Sequence, residues 1–89
     1  MQELLGKIEA ALATVQRTLD ALTARGDDEA AFLMAKVQFS ANIRASWPGN
    51  LAPLASCLEK VAADESVKLT AEERADAKAA AAVFRQVIC

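Results

Sequence analysis

Apolar residues recur along this chain at steps of three and four. Leu5, Ile8, Leu12, Val15, Leu19 and Leu22 step by 3, 4, 3, 4 and 3. That is the seam of an amphipathic helix held over almost three heptads, and it predicts a helix over about residues 2–24. Glu3 and Lys7 add a favourable i,i+4 pair, and Gly6 is a mild defect near the start. Arg25-Gly26 supplies a cation for the negative helix end and a left-handed cap residue. Asp27 follows as the cap of a second helix, with Asp28 and Glu29 in its first turn. So short a link predicts an antiparallel helical hairpin.

The second predicted helix runs over about 28–46 and is apolar on two sides. Phe32, Phe39 and Ile43 mark one face with Leu33 beside them; Met34, Val37 and Ala41 lie round the other. An arc this wide predicts neighbours on two sides and a central place in the fold. Trp47-Pro48-Gly49-Asn50 reads as a type II turn with Asn50 capping the next helix, and Pro53 sits in a first turn, where its missing N–H costs nothing. Leu51, Leu54, Leu58 and Val61 then form a third stripe, fading near residues 63–66. Thr70 and Glu73 make a capping box for a fourth helix over about 71–88, with Ala77, Ala80, Ala81, Phe84 and Ile88 inward and Val87 alongside.

No segment alternates as a strand would, and no repeat has a solenoid period. The prediction is an all-α protein: a single helical domain over residues 1–89, an antiparallel four-helix bundle built from two helical hairpins.

Composition narrows the function. The apolar fraction is 54%, and alanine accounts for 21 of the 89 residues, so the chain folds with a modest core and allows close helix approach. The net charge is −2 with the signs mixed, and no basic stripe is present for nucleic acid or a membrane surface. There is no apolar run long enough for a membrane span and no secretory leader pattern, and the two cysteines do not make a disulfide framework. These features predict a cytoplasmic protein.

Histidine and tyrosine are missing altogether, which removes the commonest general base and any Ser-His or Cys-His pair. Asp27-Asp28 and Glu72-Glu73 sit at helix starts, where dipole compensation explains them. Cys57 borders the Leu58 core position and reads as a small hydrophobe, and Cys89 is terminal. Arg25-Gly26-Asp27 spells an adhesion tripeptide, but each of its residues already has a role in ending one helix and starting the next. Acyl carrier proteins share this length, acidity and helicity. Their modified serine follows an aspartate directly, whereas here Glu65 separates Asp64 from Ser66. Acyl-CoA-binding proteins hold the nucleotide with tyrosine and lysine, and this chain has no tyrosine.

The expectation is therefore a protein without catalytic, cofactor-binding or metal-binding residues. The first helix should be ~35 Å long and the third ~20 Å, so part of the first hairpin is left uncovered. Its stripe of Leu5, Ile8, Leu12, Val15, Leu19 and Leu22, with Trp47 as a further anchor, forms the candidate interface. The function expected is a non-enzymatic protein–protein interaction module, a small adaptor, regulator or cochaperone-like bundle that forms a homodimer or meets a heterologous protein. The alternative is a small-molecule or acyl-chain binding bundle, with a groove between the alanine-rich fourth helix and Phe32, Phe39 and Phe84.

Overall fold

The structure, a computed structural model, describes residues 2–44 and 51–88. Four helices make an antiparallel bundle: α1 (Gln2–Ala24), α2 (Asp28–Arg44), α3 (Leu51–Ala63) and α4 (Ala71–Ile88). These bounds follow the periodicity closely. The predicted turn at Trp47-Pro48-Gly49-Asn50, the final two residues of the second predicted helix, the side chains of Ala41 and Ile43, and Cys89 lie outside the described residues.

The α1–α2 link has the geometry that its residues dictate. Gly26 takes φ +76°. Its N–H donates to the Thr23 carbonyl at 3.2 Å, and that of Asp27 to the Leu22 carbonyl at 3.0 Å. This pair of bonds is a Schellman cap, which closes a helix on a left-handed residue. Asp27 Oδ1 then accepts the N–H of Ala30 at 3.4 Å and caps α2. At the start of α4, Thr70 and Glu73 form the reciprocal box: the Thr70 N–H donates to Glu73 Oε1 at 2.8 Å, and the Glu73 N–H to Thr70 Oγ1 at 3.1 Å.

Each helix touches the one before and after it, and α4 closes the ring against α1. The most extensive contact is between α3 and α4. Leu51, Leu54, Ala55, Cys57, Leu58, Val61 and Ala62 of α3 are buried, against Ala77, Ala80, Ala81 and Phe84 of α4. The alanines let these backbones approach, and Phe84, fully buried, fills the space they leave. The expectation that the second helix is central does not hold. Among its described side chains only Ala30 and Met34 are buried. The core lies on the α3–α4 pair, because α2 turns its second apolar face away from it.

The first helix is also rotated relative to the predicted seam. The buried line is Ile8, Ala11, Val15, Thr18 and Leu22, with Thr14 beside it. It keeps the three-four step but takes Ala11 and Thr18 where the pattern favours Leu12 and Leu19. The small residues explain the rotation. α1 meets α4 more extensively than it meets α2, and Ala10 and Ala11 line the same open groove as Ala79 and Ala80. Leucines on that line would hold the two helices apart. Thr14 and Thr18 are tolerated because their hydroxyls donate to the carbonyls of Ala10 (3.0 Å) and Thr14 (2.7 Å) one turn back.

Polar links fasten the bundle at the end that holds both the α1–α2 and α3–α4 connections. Arg25 forms a two-pronged ion pair with Glu73, one arm at 3.0 Å. Arg74 reaches back under the end of α3. Its Nη1 donates to the carbonyls of Val61, Ala62 and Asp64 at 3.3, 3.2 and 2.7 Å, and its Nη2 to those of Glu65 and Val67 at 3.5 and 2.6 Å. A guanidinium thus satisfies carbonyls that a helix end leaves open. Asp64 Oδ1 accepts the N–H and hydroxyl of Ser66 and turns the chain, and Val67 and Leu69 of the link pack into the core.

Candidate functional site: the outer face of the second helix

Phe32 and Phe39 stand on the side of α2 opposite Ala30, Met34 and Val37, seven residues apart and so nearly in line along the helix. They are 71% and 65% exposed. Ala35 lies between them, with Lys36 on one flank, and both are exposed. Scattered exposed apolar residues are ordinary on a protein surface. Two phenylalanines aligned on one helix face, around an alanine, form a patch.

The sequence-predicted interface residues are divided by the fold. Ile8, Val15 and Leu22 are buried and belong to the core. Leu19 is partly buried against the core cluster. Leu5 and Leu12 are 53% and 41% exposed. They lie on the flank of α1 toward α2, the flank where Gln38 of α2 meets Gln16 at 3.5 Å. Counting outward from that contact along antiparallel helices, Arg44 is level with residue 10, and Leu5 lies past the last turn of α2. Trp47 is outside the described residues.

The three phenylalanines do not converge on one groove. Phe84 is in the core, and Phe32 and Phe39 face outward. An open groove of about 550 Å³ does run between α2, α3 and the α3–α4 link. Phe32, Leu33, Val61 and Val67 supply its apolar lining, and its charged residues are Lys36 and Lys60 with Asp27, Glu29 and Asp64.

Titratable groups fit structural roles. The bidentate bond from Arg25, with help from the Thr70 N–H, holds the Glu73 carboxyl down at about 2, against an ordinary 4.5. Burial pushes the Cys57 thiol up, and the nearby Lys60 opposes that by less. Cys57 is a core side chain with little thiolate character. Among the described residues no three Cys, Asp or Glu side chains gather where a metal ion could be held. No described helix is long and apolar enough to cross a membrane.

The signal for the outer face was present in the sequence as the second apolar side of α2. What sequence alone did not reveal is which of its two sides the core would use. No family model, no curated protein and no solved structure matches the chain.

Proposed function

We propose that this chain is a non-enzymatic protein–protein interaction module, a small adaptor or regulator that docks through the outer face of α2 and self-associates. The observation that carries the reading is the aligned, exposed pair Phe32 and Phe39. Keeping two aromatic rings in water forgoes about 1.5–3 kcal/mol of burial for each, a cost that a partner surface recovers. Leu5 and Leu12 offer a smaller second apolar site on α1. The mixed charge of the chain favours a protein partner over nucleic acid or an anionic membrane. The free thiol of Cys57 suits the reducing cytoplasm.

The test compares the native chain with the double variant Phe32→Ser, Phe39→Ser, using light scattering and retention of proteins from a native lysate. The expected result is association by the native chain that the double variant loses while keeping its helical circular dichroism. Native and variant chains that behave alike in both assays would overturn the reading.

A second reading, binding of a small apolar molecule, is favoured by the α2–α3 groove. Its apolar floor, ringed by Lys36 and Lys60 and by Asp27, Glu29 and Asp64, suits a small apolar molecule without net charge. A rise in melting temperature with a long-chain alcohol that Val61→Asp abolishes would support it, and no rise would remove it.

A further inference from the structure

We infer that α2 releases as a unit from the other three helices while these stay assembled, and that this opening, not unfolding of the whole chain, uncovers the core around Met34 and Cys57. The inference is independent of the interaction reading above.

The fastenings of the bundle bypass α2. Its two most extensive helix contacts, α3 with α4 and α1 with α4, do not involve that helix. Of the described α2 side chains only Ala30 and Met34 are buried, with Ala31, Leu33 and Val37 partly so. The polar ties divide in the same way. Arg85 of α4 donates to Ser56 and Glu59 of α3, and Arg74 of α4 holds the carbonyls at the end of α3. Arg25 and Asp27 fasten the α1–α2 link to Glu73 and Lys68. They precede the first residue of α2, so they hold its pivot at Gly26 rather than the helix itself. Among the described residues the one side-chain bond from the body of α2 to another helix is Gln38 to Gln16, at a long 3.5 Å.

A segment with few buried apolar contacts opens ahead of the rest of a fold. Once released, α2 has only 17 residues, a length that is marginal for an isolated helix in water, so it melts. The α1–α4 and α3–α4 contacts, with the Arg74 and Arg85 ties, remain to hold the other three helices.

Cys57 reports on the opening because of its place on α3. Ser56 and Glu59 mark the flank of α3 that meets α4, through Arg85. Lys60 and Val61 mark the flank that meets α2, since they line the groove between the two helices. Cys57 stands three and four positions before Lys60 and Val61 and shares their flank. It is 6% exposed and belongs to the core cluster against which Leu33 and Val37 of α2 pack. Release of α2 therefore bares this thiol without parting α3 from α4.

The experiment uses the full chain with Cys89→Ser, which leaves Cys57 as the single thiol. Alkylation by iodoacetamide is followed at low urea concentrations, and amide hydrogen exchange is read on the same protein. Cys57 should react more slowly than in the unfolded chain, yet at least tenfold faster than whole-chain unfolding permits. The urea dependence of that rate should be less than about half that of the whole-chain transition, because less surface is exposed. Met34→Ala should speed the reaction roughly 30-fold, through the lost contact of α2. Ala80→Gly, on α4, should weaken the whole fold about fivefold and leave the Cys57 rate unchanged, since open and closed forms share that contact. Amides of α2 should exchange together and ahead of those in α3 and α4. A Cys57 rate that follows whole-chain unfolding and rises with Ala80→Gly overturns the inference. So does a rate equal to that of the unfolded chain, or α2 amides that exchange no sooner than those of α3 and α4. The exchange readout needs no core substitution, so it decides the matter even if Met34→Ala does not fold.

Discussion

The carboxylate of Asp27 accepts the backbone N–H of Lys68 at 2.9 Å, across 41 residues of chain. Arg25 donates to the carbonyl of the same Lys68 at 3.0 Å. The two residues that flank Gly26 thus hold both backbone polar groups of one residue in the opposite connection. Asp27 also caps α2 through its other oxygen. Asp27→Ala should lose both roles and about 2 kcal/mol of stability. Asp27→Asn keeps a capping oxygen and should lose about half as much. Urea denaturation of the three proteins measures the difference, which isolates the cross-link from the cap.

Arg74 should prove the most demanding polar side chain of the bundle. Its guanidinium gathers the carbonyls at the end of α3. Arg74→Ala should cost on the order of 2–3 kcal/mol. Arg74→Lys should recover little, because a single ammonium cannot spread over carbonyls that a planar fork reaches from two nitrogens. Hydrogen exchange at Asp64, whose N–H donates to the Lys60 carbonyl at 3.1 Å, should speed up in both variants.

Acid should loosen the same end of the molecule. The Glu73 carboxyl titrates at about 2 in the folded chain and near its ordinary 4.5 when unfolded. A depressed carboxyl contributes stability above the unfolded value and loses it as pH falls toward the folded one. The contribution should therefore be complete above pH ~4.5 and fade between ~4.5 and ~2. Glu73→Gln should flatten that part of the stability-versus-pH curve. Added salt should reduce the effect, since the side chains of Arg25 and Glu73 are 38% and 29% exposed.

The phenylalanines should separate stability from association. Phe84→Ala removes a fully buried ring and should cost about 3–5 kcal/mol. Phe32→Ala and Phe39→Ala should change monomer stability by no more than about 0.5 kcal/mol. Melting curves at low concentration, where any association is minimal, make the comparison.

The helix positions, the caps at Gly26 and Asp27 and the Thr70–Glu73 box were legible before the structure, because each depends on residues within a few positions of one another. Gly26 and the Thr70–Glu73 pair are of this kind. What was not legible depends on which neighbour a helix approaches. Leucine outranks alanine and threonine in any hydrophobic pattern, yet α1 buries Ala11 and Thr18 and leaves Leu12 at the surface. The decision is made by the alanines of α4, more than sixty residues later in the chain. α2 posed the same problem, with two apolar sides and one core. Arg74 was silent for another reason: a helix end capped from a following helix leaves no local signature.

The Arg25-Gly26-Asp27 turn also bears on how the chain tolerates added length. Extending a surface loop ordinarily costs only the small entropy of a longer closure. Here extra residues would carry Arg25 and Asp27 apart and release their joint hold on Lys68. Tags, reporters or inserted peptides placed at this bend would pull on two connections at once, and the bend is a poor site for grafting despite its exposure to water.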